Sequence, residues 1–250
     1  MPKSSFQSAI QVYLCKNNYP SIDLKAVLFD MDGVLFDSMP IHAVAWTRAL
    51  FEMGVEFTEE ESYLHEGRTG SGTIGIVYQR SLGRDATEEE KQQIYKRKSD
   101  LFEASAEAPV MPGSQALLEK VKADHLMRIL VTGSGQKTLL TKLNLHFPGQ
   151  FTRNKMVTAY DVTIGKPHPE PYLQGLVKSG VQAFNAIVVE NAPLGVASAK
   201  AAGIFTIAVN TGKLQDYHLL DAGADLLFES MNALNDAWPE LLKAFRTTTV

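Results

Sequence analysis

Cysteine is nearly missing from this chain: Cys15 is the only one in 250 residues. No intrachain disulfide can form, which sets the chain apart from small secreted scaffolds and suits a reducing compartment. Basic charge is not in excess either. Lys and Arg number 24 against 28 Asp and Glu, a net charge of −4, and nothing points to nucleic acid. No uninterrupted apolar run is long enough to span a bilayer. The opening M-P-K-S-S-F-Q-S-A-I-Q-V-Y-L-C-K is broken by Gln7 and Gln11 and is followed by no small-residue cleavage site, so it does not read as a secretory signal. The six histidines are scattered, without the Cys/His spacing of a zinc site. Internal repeats and low-complexity tracts are absent. These absences lead us to expect a cytoplasmic, monomeric protein that engages neither membrane nor nucleic acid.

What is present is an alternation. Short apolar runs stand at Ala26–Phe29, Met127–Val131, Met156–Thr158, Ala186–Val189, Ile204–Val209 and Leu226–Phe228, each of strand length and ending at a Gly, Thr or acid. Helix-period segments separate them at Gln115–Ala123, Lys137–Leu145, Glu170–Lys178 and Gly195–Ala202. The pattern predicts an α/β protein, a parallel-sheet, Rossmann-like core with helices on both faces. Residues 41–108 differ, holding helical patterns at Ile41–Met53, Glu59–Leu64, Thr73–Ser81 and Thr87–Ser105 and no strand. We expect a helical domain over 41–108 inserted into a core of 1–40 and 109–250, with 1–24 as an N-terminal extension.

In open α/β sheets ligands bind beyond the carboxyl ends of the strands. The residues after the apolar runs therefore belong together: Asp30 and Asp32; Thr132, Gly133 and Ser134; Lys166 in G-K-P-H-P-E-P-Y; Glu190 and Asn191. Two aspartates at the end of a buried strand are expensive unless something needs them. A phosphoryl group and a metal would. Oxygen ligands from Asp30, Glu190 and Asn191 can hold Mg²⁺, which reverses the local field for an anionic substrate. Thr132 and the amides after it can hold phosphate oxygens, and Lys166 adds a fixed positive charge. One aspartate can then attack phosphorus while the other serves as general acid and base. Plainer roles remain open for each, down to a turn residue at Asn191. Two other glycine patterns lead nowhere: Gly70–Gly75 matches G-x-G-x-x-G without a preceding strand, and Gly133–Thr138 lacks the glycine before lysine of a P-loop.

The motifs D-M-D-G-V-L-F-D-S, V-T-G-S, G-K-P and V-V-E-N-A-P-L-G-V-A-S-A-K-A-A-G resemble the haloacid dehalogenase superfamily, and within it the β-phosphoglucomutase-like branch, which carries a helical cap after the first strand. The resemblance covers nearly everything beyond the first two dozen residues. It implies that Asp30 is nucleophile and metal ligand, and that Asp32 is the acid/base and lends its main-chain carbonyl to Mg²⁺. It further implies that Thr132 and Lys166 bind the phosphoryl group and that Glu190–Asn191 completes the metal site. The branch usually has an acidic pair where this chain has Glu190–Asn191.

In that branch the cap selects the substrate, a small phosphorylated molecule. The cap residues to watch are Glu66 and Arg68 in H-E-G-R-T-G, Lys98 in Y-K-R-K-S-D, and His42 near the hinge. Each has a plain alternative: a surface Glu66, a solvated Arg68, a helix charge at Lys98, a packed helix histidine at 42. The mutase's cap loop has an arginine where this chain has Gly70. The loop, with Lys98 and Glu190–Asn191, looks more like an inorganic pyrophosphatase of the branch. The expectation is thus a Mg²⁺-dependent phosphohydrolase for pyrophosphate or a small phosphate ester, with β-phosphoglucomutase activity as the alternative.

Overall fold

The computed structural model describes residues 3–135 and 137–249. Six parallel strands form one sheet: β1 (Ala26–Phe29), β2 (Met127–Val131), β3 (Met156–Val157), β4 (Ala186–Glu190), β5 (Phe205–Val209) and β6 (Leu226–Phe228). Their order across the sheet is β3-β2-β1-β4-β5-β6, every neighbouring pair parallel. β1 is thus flanked by β2 and β4, the place where the order reverses and where such sheets bind ligands.

Successive side chains in a strand face opposite ways, and both faces here are apolar. Val27, Phe29, Leu130, Ile187, Val189, Phe205 and Ile207 turn to one face. There they meet α1 (Lys3–Asn17), α6 (Ser114–Ala123) and α11 (Met231–Thr247) through Ile10, Tyr13, Leu118, Trp238 and Phe245. Leu28, Ile129, Val131, Val157 and Val188 turn to the other. They pack on Tyr172 and Leu176 of α8 (Glu170–Ser179) and Ala199 of α9 (Pro193–Ala201). The N-terminal extension is therefore part of the core layer. Tyr13 packs edge-on against Phe205, ring centroids 5.3 Å apart, and its hydroxyl donates to the Gly203 carbonyl at 2.7 Å.

Between β1 and α6 the chain makes four helices: α2 (Met39–Phe51), α3 (Glu59–Leu64), α4 (Gly70–Leu82) and α5 (Glu88–Glu103); α2, α4 and α5 share an apolar cluster, while Tyr63 of α3 packs with Met39, Ala43 and Leu214. Their starts are locally encoded. Thr58 with Glu61 and Thr87 with Glu90 form capping boxes, and Thr69 caps α4 by accepting from the Gly72 N–H. The structure moves several sequence-read boundaries by one to three residues. It also adds two helices after β5, α11 and the short α10 (Asp216–Asp221), the first of which runs straight through Pro239. Among the described residues no helix is long and apolar enough to cross a membrane.

Candidate active site

The strand ends bring the core motifs together. Asp30 leaves β1 with its N–H on the Val189 carbonyl at 3.0 Å, and its side chain is buried. Lys166, from the loop after β3, reaches under it. Its Nζ donates to Asp30 Oδ1 at 2.5 Å and to Glu190 Oε1 at 2.6 Å, with the Val131 carbonyl at 3.3 Å. Burial pushes the Asp30 carboxyl up to about 8, helped by the Glu190 and Asp32 charges and opposed by Lys166. Lys166, burial notwithstanding, is held above the usual lysine range by Asp30 and Glu190, so it keeps its proton.

Glu190 is completely enclosed, and four donors converge on it. Oε1 accepts from Lys166 and from the Tyr172 hydroxyl at 2.7 Å. Oε2 accepts from the N–H groups of Asn191 and Ala192 at 2.9 and 3.1 Å. Its acceptor capacity is filled by protein, and it does not line the cleft. These contacts tie Glu190 to Lys166 and to the turn that carries Asn191.

Asp32 is tied to the helical insert. Its Oδ1 accepts from Ser38 Oγ at 2.6 Å and from His42 Nε2 at 3.1 Å. His42 Nδ1 lies 2.7 Å from Lys98 Nζ, so the partners place the ring proton on Nε2 and make Nδ1 the acceptor from lysine. Burial acts to raise Asp32, but His42, Ser38 and the Lys98 charge together bring it below its usual value. Burial and the neighbouring Lys98 lower His42. Burial pulls the Lys98 amine down to about 7. Lys98 also lies 5.3 Å from the Trp46 and Phe102 ring centres.

The loop between α3 and α4 presses onto the core. A Cβ added to Gly133 would sit 2.6 Å from the Gly67 carbonyl, and one on Gly67, at φ +83°, would sit 2.9 Å from Lys166 Cδ. Only glycines allow that approach. It places Glu66 in the interior, where its Oε1 accepts from Asn191 Nδ2 at 2.8 Å. Burial raises the Glu66 carboxyl well above its usual range, and the Asp30, Glu190 and Asp32 charges add to this against the Asn191 hydrogen bond. The cleft, partly open to solvent, is about 60 Å³ and is lined by Asp30, Asp32, His42, Glu66, Arg68, Lys98, Thr132, Gly133 and Ser134 among others. Thr132 Oγ1 accepts from the Ser134 N–H at 3.0 Å, which folds the phosphate-sized turn.

Arg68 stands in the cleft wall with its Nε buried and without a protein partner. Ser62 Oγ and His65 Nδ1 share that condition and line the same cleft. Sequence reasoning missed both, along with Ser38, Tyr95 and Tyr172. Tyr172 was visible in the motif G-K-P-H-P-E-P-Y, but only the fold turns its hydroxyl onto Glu190.

Does a divalent cation fit? Among the described residues no group of three or more His, Cys, Asp and Glu side chains is arranged to hold a metal. The donors at the strand ends are of another kind: the Asp30 carboxylate, the Asp32 main-chain carbonyl, and Asn191 Oδ1, a buried oxygen that lacks any partner. Glu66 fixes the Asn191 amide so that nitrogen faces the carboxylate and oxygen is left over. A hard cation that keeps several waters matches such a set, and it would relieve the crowding of acids around Asp30.

Residues 27–209 match the haloacid dehalogenase-like hydrolases. The chain belongs to that family. It is an enzyme of the phosphatase and phosphotransferase kind, as its relatives are. A phosphorylated carbohydrates phosphatase of Thermotoga maritima is 32% identical over 218 residues, 85% of this chain and 97% of that one. Hexitol phosphatase A of Escherichia coli is 30% identical over 187 residues, 74% and 83% of the two chains. Among solved structures, a provisionally assigned β-phosphoglucomutase from Bacteroides vulgatus is 53% identical with a TM-score of 0.96, covering 98% of this chain and all (100%) of the other.

Proposed function

We propose that this haloacid dehalogenase-like enzyme is a Mg²⁺-dependent phosphohydrolase whose substrate is inorganic pyrophosphate. The observation that carries the reading is the buried bond between Glu66 and Asn191, closing a cleft of only about 60 Å³. Burial favours the neutral acid there, which exchanges hydrogen bonds with the waters of a metal-bound diphosphate. The narrow cleft leaves little room for a sugar ring. Arg68, with its unpartnered Nε beside Ser62 Oγ and His65 Nδ1, suits the distal phosphate.

In this mechanism Asp30, the Asp32 carbonyl and Asn191 would hold a Mg²⁺, which would supply neutralisation of charge on the phosphoryl oxygens. Thr132, the Gly133 and Ser134 amides and Lys166 orient the phosphoryl group. A carboxylate oxygen of Asp30 attacks phosphorus and the bond to the leaving oxygen breaks, giving an aspartyl phosphate. Asp32 then takes a proton from the water that attacks the same phosphorus, and the Asp30–phosphorus bond breaks. The low Asp32 pKa favours its carboxylate form. That form suits a leaving group able to depart without a proton, which phosphate does more easily than a sugar alkoxide.

A second reading has its own support. The relatives named as acting on phosphorylated carbohydrates and hexitol phosphates, and the β-phosphoglucomutase-like structure, favour a sugar phosphatase or mutase on the same residues. Steady-state kinetics with Mg²⁺ on pyrophosphate, hexose phosphates and β-glucose 1-phosphate decide between the two. Glu66→Ala should lower kcat/KM for pyrophosphate at least about tenfold more than for hexose phosphates, roughly 1.4 kcal/mol of differential transition-state stabilisation. Equal losses on both would remove Glu66 from specificity. A wild-type preference for hexose phosphates would overturn the pyrophosphate reading.

A further inference from the structure

Beside the catalytic cleft lies a second, larger cavity of about 280 Å³, with Ser71, Lys91 and Gln92 of the helical insert on one side and Gly135, Ala159 and Tyr160 of the core on the other. The two cavities share three lining residues, Gly70, Tyr95 and Gly133. Of these, Tyr95 is the only one with a side chain. Its ring stands against Gly70: a Cβ there would overlap the ring and sit 3.3 Å from Cγ. The ring therefore occupies the volume that any side chain at position 70 would take. The far end is packed as well. A Cβ built on Gly135 would sit 3.5 Å from the Tyr95 phenol oxygen, and the Tyr160 hydroxyl donates to the Gly135 carbonyl at 2.8 Å. Trp46, another cleft residue, backs the ring at 6.3 Å between centroids.

From this geometry we infer that Tyr95 is the specificity-determining partition that sets how long a phosphorylated substrate can be, and that the cavity behind it is the space a longer leaving group would fill. The outer space is several times larger than the cleft and more apolar than polar, with Glu88 and Lys91 of opposite charge on its wall, so it suits the carbon skeleton of a longer phosphate ester. In the intact protein the ring denies that path. Gly70 is the other half of the device, because its missing side chain is what lets the ring lie there. The inference rests only on phosphatase activity of the family kind and is independent of the pyrophosphate reading, since it concerns the ratio between long and short substrates.

The experiment measures kcat/KM for two pairs, pyrophosphate with tripolyphosphate and glycerol phosphate with hexose 6-phosphate, in wild type, Tyr95→Ala, Tyr95→Phe and Gly70→Ala. Tyr95→Ala should raise the long-to-short ratio in the pair that wild type uses by about tenfold or more, the scale of steric discrimination in a pocket. Tyr95→Phe keeps the ring and loses only the hydroxyl, so its ratio should stay within about twofold of wild type. Gly70→Ala displaces the ring and should shift the ratio the same way as Tyr95→Ala, and it carries the test if the larger truncation does not fold. The inference is overturned if wild type cleaves the long member as well as the short one. It is equally overturned if folded Tyr95→Ala and Gly70→Ala leave the ratio unchanged, or if Tyr95→Phe opens the site as far as Tyr95→Ala does.

Discussion

Replacing Glu190 by glutamine changes one oxygen to an amide nitrogen at a place where every neighbour donates. Lys166 and Tyr172 point at one oxygen, the Asn191 and Ala192 N–H groups at the other. A carboxamide keeps one acceptor and brings two donors of its own. Its best compromise turns the oxygen to the two amides and lets the Tyr172 hydroxyl rotate to accept. Lys166 then faces a donor, keeps Asp30 and the Val131 carbonyl, and loses a buried charge-assisted hydrogen bond. Such a loss costs about 1.5–3 kcal/mol, and breaking one arm of a buried ion pair reaches about 3–5 kcal/mol. Taking about 3 kcal/mol, a chain of this length should melt roughly 6–12 °C lower. The assay is thermal unfolding by far-ultraviolet circular dichroism in EDTA. Chelation matters to the logic. Were Glu190 a direct metal ligand, the metal-free variant would melt like the metal-free wild type and differ only in Mg²⁺ requirement. A melting temperature within about 2 °C of wild type under chelation would refute the positioning role.

Other outcomes follow from the same geometry. Asp30→Asn should abolish turnover on every phosphate substrate, and Asp32→Asn should slow it about 10²–10⁴-fold, both read as steady-state rates; near-normal turnover in Asp30→Asn removes the nucleophile assignment. EDTA should suppress activity and Mg²⁺ restore it, and Asn191→Ala should raise the Mg²⁺ concentration for half-maximal rate, since Asn191 Oδ1 is the orphaned oxygen; full activity after exhaustive chelation would refute the metal dependence. Lys98 should make folding pH-dependent. Its amine is at about 7 when folded and near the ordinary lysine value, about 10.4, when unfolded. Between those values the unfolded chain holds more protons, so stability rises with pH across that window, by up to about 1.4 kcal/mol per unit. Lys98→Met should flatten the rise in urea-unfolding free energy between about pH 7.5 and 9.5, and an unchanged slope would count against it.

The parallel sheet was readable because its strands are buried on both faces, and continuous apolar runs such as Ala186–Val189 survive without any polar interruption. The core of the site was readable for a related reason: a carboxylate at the end of such a run has no structural excuse. What escaped was whatever depends on distant packing. The amphipathic face of the last helix is interrupted by Pro239, which a local reading treats as a stop, yet burial of Trp238, Leu241 and Phe245 carries the helix past it. Glu66, Lys98 and His42 each read equally well as ordinary surface or packing residues. Their meaning lies in contacts 125, 56 and 10 residues away, with Asn191, His42 and Asp32. The split between Glu190 and Asn191 was also beyond a linear reading. Adjacent residues in a turn diverge by which one the interior saturates, and only the four donors around Glu190 make that choice visible.

The tight closure of the insert over the core has a consequence for timing. With Gly67 against Lys166 and Glu66 bonded to Asn191, the cleft of about 60 Å³ is narrow and only partly open to solvent. A substrate larger than that space would have to part those contacts to reach Asp30, and the rate of parting would then cap turnover however fast phosphorus is attacked.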